Sequence, residues 1–263
     1  MKKYIRVILI LIFAGVAVFA GWQLYRQQAE YQSGEDTYAE LEQYVHISDP
    51  GVEDELEEQE PTESGETEET EAEDDIVWPT VDFAALQTIN PDVVAWIYIK
   101  GTSINYPIVQ GDDNSYYLKH LVDGSYNSSG AIFMDYRNDS DFSDSHTIIY
   151  GHHMKNGTMF SGLDGYKKQE FYEAHPTALV LTPEGDFKLE FFAGYVADVE
   201  ADAWQLNFTL ESLEQWISTA KMKSCFDSNI APTVTDQIVT LSTCSYEFTN
   251  ARFVLLGRIQ WIY

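Results

Sequence analysis

From about residue 96 to the end of the chain, short apolar runs rich in β-branched and aromatic residues alternate with segments containing Gly, Pro, Asn, Asp and Ser. Such runs predict β-strands. The predicted strands are residues 96–99, 104–109, 131–134, 147–150, 177–182, 187–196, 238–244 and 252–259. Closing about eight short strands into an antiparallel barrel protects their edges, so this fold is favoured.

The helical pattern is weaker. Apolar residues recur at spacings of three and four along residues 210–221, which predicts an amphipathic helix just before the last two strands. Shorter helical segments are predicted at 81–89, 91–95, 112–120, 159–163 and 169–174. Pro107 interrupts the second predicted strand and indicates an edge position, because proline cannot donate to a β-ladder. The sequence therefore predicts a mainly β protein with peripheral helices.

The start of the chain has a different character. Residues 7–21 are apolar and uncharged, Lys2, Lys3 and Arg6 precede them, and Trp22 follows. With its aromatic flanks this stretch approaches the roughly 20 residues needed to span a bilayer. We expect residues 1–26 to be an uncleaved, single-pass membrane anchor with a cytoplasmic N-terminus, because basic residues stay inside. The alternative is a signal peptide cleaved at the weak small-residue site Val18-Phe19-Ala20.

Acidic charge is concentrated in one region of this chain of 263 residues and net charge −28. Between Glu30 and Asp75 lie 20 acidic residues and no Lys or Arg. Such a segment buries too little to offset its ordering entropy, so residues 27–77 are predicted to be a largely disordered stalk. The alternative is a tail that binds a cation or a partner. A catalytic domain is expected at residues 78–263, and the lack of a basic patch argues against nucleic acid as a partner.

Three residues at strand ends carry candidate chemistry. Cys244 closes a β-branched run in T-L-S-T-C, and Arg252 opens the next run. His152 and His153 follow Gly151 at the end of another predicted strand. A cysteine, a histidine and an arginine held at strand ends suggest acyl transfer, with a thiolate nucleophile, an acid/base and a fixed cation for an oxyanion.

Other residues compete for these roles. The remaining histidines are His46 in the predicted stalk, His120 and His146 at element ends without a glycine turn, and His175 before a proline. Cys225 is expected to be a small, mostly buried residue, and a Cys225–Cys244 disulfide is the alternative that export makes reasonable. Neither cysteine has metal-ligand spacing to a second thiol, so no metal is expected.

Motifs along residues 78–259 resemble those of class B sortases, the cysteine transpeptidases of Gram-positive cell surfaces. The motifs are N-P-D-V-V-A-W-I, I-N-Y-P-I-V-Q, N-S-Y-Y-L, Y-G-H-H-M and T-L-S-T-C-S-Y-E-F. The resemblance implies an eight-stranded sortase β-barrel with an N-terminal helical segment and a long helix before the cysteine strand. It implies no cofactor and a monomeric catalytic domain.

The resemblance also implies roles for individual residues. Sortases carry the base directly after the glycine, which selects His152 over His153, beside Cys244 and Arg252. Three residues match positions that line the sorting-signal groove of the class: Asn114, Leu118 and Ser242. Ser245 is a departure, because some relatives carry an acidic residue there, and it puts substrate contacts at that position in question.

The implied reaction cleaves a C-terminal sorting signal resembling N-P-x-T-[NGS] through a thioacyl enzyme. The implied partners are surface proteins that carry the signal and a peptidoglycan precursor amine that accepts them. Location at the cell membrane with an extracellular catalytic domain follows. The alternatives are a pilus-polymerising sortase, a hydrolytic cysteine endopeptidase, or an adhesive ectodomain with the two cysteines joined.

Overall fold

The computed structural model describes residues 2–46 and 78–262. The α-helices are α1 (Lys2–Leu41), α2 (Phe83–Ile89), α3 (Gln169–Ala174) and α4 (Leu210–Lys223). Short 3-10 helices lie at Glu42–Tyr44, Tyr116–Leu118, Phe160–Lys167 and Asp202–Trp204. The amphipathic helix predicted before the last two strands is α4. It begins at Thr209, whose side-chain oxygen accepts from the Ser212 amide in a reciprocal capping box.

Ten strands are formed in the described residues. They are β1 (Val45–His46), β2 (Thr80–Val81), β3 (Val93–Tyr98), β4 (Asn105–Val109), β5 (Ile132–Met134), β6 (His146–Tyr150), β7 (Thr177–Leu181), β8 (Phe187–Asp198), β9 (Ile238–Cys244) and β10 (Ala251–Trp261). Eight of them close into a barrel in the order β10-β8-β7-β3-β4-β5-β6-β9. The predicted eight-stranded barrel is therefore confirmed. The expectation that the barrel is antiparallel throughout is wrong, because two of its pairings are parallel, β4 with β5 and β6 with β9.

Two apolar clusters hold the barrel together. One fills its interior and includes Trp96, Phe191 and Phe253, all of them fully buried. The other lies outside, where α4 packs its buried face, including Trp216, against β8 and β10. Because β9 is covered on both faces, its residues from Ile238 to Thr243 are all buried. The strand that carries the candidate nucleophile is thus held firmly up to its last residue.

The helix predicted at 112–120 is reduced to the 3-10 helix Tyr116–Leu118. Two further local predictions were wrong because of tertiary contacts. Residues 91–95 were expected to be helical, but β3 begins at Val93, and Asn90 caps the end of α2. The Asn90 amide donates to the Tyr117 hydroxyl and to a backbone carbonyl across the fold. Pro107 was expected at an edge, but β4 is internal. Strand β4 pairs with β5 through Ile108 and Val109. Pro107 lies before this pairing, so its missing N–H is not needed there.

The expectation of a disordered stalk is wrong for residues 27–46. Helix α1 continues without a break to Leu41 and packs on the barrel. Tyr38 and Leu41 are 7% and 4% exposed, and the Tyr38 hydroxyl donates to the Gly130 carbonyl at 2.7 Å. The Glu30 carboxylate accepts the backbone N–H of Ser128 at 2.8 Å. Although this part of the chain is acidic, one face of the helix is apolar, and that face packs against the barrel.

The remainder of the predicted stalk, residues 47–77, lies outside the described residues. Its two ends are nevertheless defined, because β1 pairs antiparallel with β2. His46 lies opposite Thr80, and Val45 lies opposite Val81. The chain therefore reaches the barrel before the most acidic stretch begins, and the described residues on either side of that stretch lie next to each other.

Within the described residues, α1 is the helix long and apolar enough to cross a membrane. Its apolar side chains, among them Phe13, Phe19 and Trp22, are exposed.

Candidate active site

Three neighbouring strands bring the predicted catalytic residues to one end of the barrel. Strand β9 ends at Cys244 and lies between β6 and β10. On one side, parallel pairing sets Tyr150 beside Ser242, so the chain leaves β6 at the same edge as Cys244 and reaches His152 two residues later. On the other side, antiparallel pairing sets Arg252 directly opposite Cys244. Side chains paired in this way share a face, with Cβ atoms about 4.5–5.5 Å apart.

A groove with a volume of about 520 Å³ opens at this edge. All six residues predicted for the site line it: His152, Cys244, Arg252, Asn114, Leu118 and Ser242. Six further residues that the sequence did not single out as site residues complete the lining: Phe133, Tyr150, Gly151, Val199, Trp204 and Thr243. The structure thus brings the candidate nucleophile, base, cation and signal-binding residues together in one place.

Packing explains why a glycine precedes His152. A Cβ atom on Gly151 would lie 2.5 Å from Ile132 Cδ1 and 2.7 Å from the Phe160 ring, which is closer than real Cβ contacts allow. The backbone can therefore turn over the barrel only without a side chain here. After the turn, His152 Nε2 donates to the Leu118 carbonyl at 2.8 Å, since a carbonyl can only accept. This bond orients the imidazole at the rim of the groove.

His153 points elsewhere. Its Nε2 lies 2.7 Å from an Asp164 carboxylate oxygen, and its ring packs edge-on against Tyr246. It does not line the groove. Of the two histidines after Gly151, only His152 lines the groove that contains Cys244.

His146, another of the competing histidines, is fully buried at the start of β6. Its Nδ1 donates to the Gln205 carbonyl at 2.7 Å, and its Nε2 lies 2.7 Å from the Thr240 hydroxyl. Burial lowers the pKa of His146 to about 4. A neutral imidazole with both nitrogens occupied is a structural residue.

Arg252 retains free donor capacity. Its Nη1 donates to the Ala251 carbonyl at 3.0 Å, the one side-chain bond recorded for it within the described residues. Guanidinium has five N–H donors in a rigid plane, so the others can meet a carbonyl or oxyanion held at Cys244.

A buried carboxylate holds the Asn114 side of the groove. Asp135 is fully buried, and it accepts from Arg137, from Asn114 Nδ2 at 2.9 Å and from the Tyr150 hydroxyl at 2.9 Å. Burial alone would raise the pKa of Asp135, but these hydrogen bonds, chiefly from Arg137, lower it below its usual value. Asn114 Oδ1 also accepts the Tyr136 amide, so the side-chain orientation of Asn114 is fixed.

The sortase domain family matches residues 97–260, more than half of the sequence. Sortase B of Staphylococcus aureus is 37% identical over 180 residues, which cover 67% of this chain and 74% of that protein. The chain belongs to the sortase family.

Solved sortase B structures agree with this assignment. A Staphylococcus aureus sortase B–substrate complex and a complex of sortase B with triglycine each match with a TM-score of 0.66 and 36% identity, covering 69% of this chain and 85% and 86% of theirs. Sortase B from B. anthracis, in complex with AAEK1, matches with a TM-score of 0.70 and 29% identity over 89% of this chain and 99% of that chain. This sortase is therefore a cysteine transpeptidase of the B type.

The cysteines of this sortase correct one expectation. Both thiols are free, so the structure contains no Cys225–Cys244 disulfide. Cys225 was expected to be buried, but it is exposed, because the chain turns away from α4 at Ser224 and the next residue, Phe226, takes the buried position at 4% exposure. The alternative of an adhesive ectodomain required the two cysteines to be joined, and the free thiols therefore argue against it.

Trp204 is the most informative groove residue that the sequence analysis missed. It closes the short 3-10 helix between β8 and α4, and its Nε1 donates to the Ser242 hydroxyl at 3.3 Å. This bond ties the segment after β8 to the cysteine strand of the sortase. A tryptophan in the polar stretch A-D-A-W-Q was a signal, since large aromatics in loops often mark binding surfaces.

Proposed function

We propose that this sortase cleaves a C-terminal sorting signal of the N-P-x-T-[NGS] type and transfers the surface protein that carries it to a peptidoglycan precursor amine. The observation that supports this most directly is the strand arrangement. Cys244 lies between the strand that leads to His152 and the strand that presents Arg252. Nucleophile, acid/base and cation are the three functions that acyl transfer needs.

In the proposed mechanism, the Cys244 thiolate attacks the carbonyl carbon of the signal threonine. The resulting oxyanion is stabilised by Arg252, which lines the same groove and has N–H donors to spare. Protonated His152 gives a proton to the leaving amine as the peptide bond breaks, which leaves a thioacyl enzyme. His152 then takes a proton from the incoming amine as that amine attacks the thioester, and the Cys244 thiolate is the leaving group.

Signal recognition is assigned to Asn114, Leu118 and Ser242. Asn114 is fixed by bonds at both ends of its amide and so presents a defined polar edge. The Leu118 side chain remains 38% exposed in the groove wall, available for apolar contact with a peptide. Ser242 is 2% exposed and bonded to Trp204, so its contribution is to shape the groove floor.

The acceptor is proposed to be a primary amine. One solved relative is a complex of sortase B with triglycine, a peptide that begins with such an amine. A lysine on another pilin would serve a pilus-polymerising sortase, and water would serve a hydrolytic endopeptidase. Neither alternative is favoured by an observation on the described residues.

The cellular placement is also proposed. Residues 1–26 form a single-pass anchor with a cytoplasmic N-terminus, which basic residues before the apolar stretch support. Residues 78–263 form the extracellular catalytic domain, which works as a monomer.

The test is incubation of the full chain in detergent with a panel of fluorogenic N-P-x-T peptides, with and without triglycine, followed by mass spectrometry. Transpeptidation predicts a peptide–glycine adduct and a thioacyl enzyme that Cys244→Ala cannot form. Cys225→Ala is the matched control, since it removes the chain's other thiol, and it should leave activity intact. Adduct formation by Cys244→Ala would refute the assignment, and hydrolysis unaffected by the amine would favour the endopeptidase.

A further inference from the structure

A chain of charged residues connects the two segments that carry the candidate nucleophile and base. At its centre is Lys167, the last residue of the 3-10 helix Phe160–Lys167. Its Nζ lies 2.8 Å from an Asp164 oxygen, 2.7 Å from a Glu247 oxygen and 3.0 Å from the Ser245 hydroxyl. Lys167 therefore forms ion pairs with Asp164 and Glu247 and donates a hydrogen bond to Ser245.

One side of this network reaches the nucleophile. Ser245 directly follows Cys244, is 5% exposed, and also donates its hydroxyl hydrogen to the Glu247 carboxylate. The hydrogen bonds from Lys167 and Ser245 lower the pKa of Glu247 to about 2. Beyond Ser245 the β9–β10 connection is exposed, as Tyr246 and Phe248 are 69% and 47% exposed. Lys167 therefore restrains a segment that has little packing of its own.

The other side reaches the base. Asp164, whose first carboxylate oxygen pairs with Lys167, uses its second to bind His153 Nε2 at 2.7 Å. His153 directly follows His152, and its side chain is only 16% exposed. The series His153, Asp164, Lys167, Glu247 and Ser245 thus runs from one catalytic segment to the other behind the groove, through side chains that do not line it.

We propose that Lys167 is a positioning residue, which holds the loop after β6 and the loop after β9 in the relative placement that lets His152 and Cys244 act on one bond. The inference rests on the proposed function of those two residues. It also gives Ser245 a role. Where some relatives carry an acidic residue after the nucleophile, this chain has a hydroxyl that accepts a hydrogen bond from Lys167. A displacement of about 1 Å between reacting groups can cost on the order of 100-fold in rate, so a network at this distance from the chemistry is consequential.

The variant that tests this is Lys167→Met, which keeps the side-chain length and removes the charge. A matched control exists in Arg258, which makes a similarly half-buried ion pair with Glu190 at 26% exposure against 27% for Lys167. Arg258 lies six positions beyond Arg252 on β10, roughly 20 Å along the strand from the site. Arg258→Met therefore removes an ion pair without touching the two loops.

The measurements are kcat and KM for peptide transfer, the single-turnover rate of thioacyl formation, and Tm, all on the full chain in detergent. Lys167→Met should lower kcat and the acylation rate by about 10- to 100-fold, with KM changed by less than about 3-fold, because alignment and not signal binding is lost. Its Tm should shift no more than that of Arg258→Met, which should keep the parent's kcat. Lys167→Arg, which keeps the charge, should recover most of the lost rate.

Parental kcat in Lys167→Met, a loss confined to KM, or an equal loss of kcat in Arg258→Met would overturn the proposal. If Lys167→Met does not fold, Glu247→Gln is the second variant, since it releases only the nucleophile side of the network, and its kcat must fall as well. Cys244→Ala is measured in parallel: if it stays active, the proposed function fails, whereas an inactive Cys244→Ala beside a fully active Lys167→Met refutes the positioning role alone.

Discussion

Acidification from neutral pH should first destabilise the fold through one residue, His146. His146 is fully buried, and burial lowers its pKa from 6.5 to about 4. A base with a lowered pKa in the folded state takes up its proton more readily in the unfolded chain. Its contribution to stability is therefore complete above pH 6.5 and is lost as the pH falls from 6.5 towards 4.

The size of the loss follows from these two values. Linkage between a pKa of 6.5 in the unfolded chain and about 4 in the fold gives a loss of about 2 kcal/mol between pH 7.5 and pH 5.0. Carboxylates such as Asp135, whose pKa is lowered in the fold, lose their contribution only as the pH approaches and passes below their ordinary value of 3.8. Between pH 7.5 and 5.0 the loss should therefore come mainly from the histidine, and a matched variant separates its share from that of the carboxylates.

The assay is urea unfolding followed by tryptophan fluorescence at both pH values, on the protein without its first 26 residues. The matched variant is His146→Gln, whose amide can still donate to the Gln205 carbonyl and accept from Thr240 but does not titrate. We expect the parent to lose about 2 kcal/mol more than the variant between the two pH values. Parallel losses in the two proteins would refute the assignment of the acid sensitivity to His146.

Four further predictions concern the site and the N-terminal helix. His152→Ala should lower activity by at least about 100-fold, and His153→Ala should lower it by less. Peptide-transfer kinetics would check this, and a reversed order would contradict the choice of His152 as the base. Arg252→Lys should lower kcat by about 10²–10³ if the guanidinium stabilises the oxyanion, whereas a change in KM alone would make it a signal-binding residue. Tyr38→Phe should cost about 1–3 kcal/mol in urea unfolding, because a buried carbonyl loses its donor, while the exposed Glu40→Ala on the same helix should change little. Deleting residues 48–77 should leave kcat, KM and Tm unchanged, since β1 and β2 meet beside the deletion, and a loss of activity would show that the acidic segment takes part in catalysis.

Local patterning predicted most elements, and its failures share a cause. The segment predicted at 169–174 matches α3, and the helix predicted at 210–221 is α4 with two more residues. The failure at 91–95 came from Asn90-Pro91, which has the residue types of a helix start. In the fold the Asn90 amide bonds to Tyr117 and Val122, far along the chain, and no local rule contains those contacts.

The site residues also fall into two groups, those that local sequence patterns predict and those that depend on pairing between distant strands. Cys244 and Arg252 could be associated from sequence because a short loop joins their strands, and antiparallel neighbours with short connections pair directly. The placement of His152 in the same groove as Cys244 depends on the parallel pairing of β6 with β9, which are far apart in the chain. The residues alone therefore left both His152 and His153 as candidates for the base. The resemblance to sortases selected His152, and the groove contains His152 alone of the pair. Phe133 reaches the groove only through barrel closure, so its place there could not be anticipated. Trp204 offered a sequence signal, but its bond to Ser242 joins residues 38 positions apart and no local pattern contains it.

The N-terminal helix changes how the acidic region should be understood. A spacer must lie between the two bodies it separates, but α1 runs from the apolar stretch to Leu41 as one helix and is bonded to the barrel at Glu30 and Tyr38. If residues 1–26 cross the membrane, the distance and direction from bilayer to groove are set by this helix, about 1.5 Å per residue, and not by the length of the acidic segment. Charge composition could not predict that the described residues on either side of the most acidic stretch, His46 and Thr80, lie opposite each other in one pair of strands.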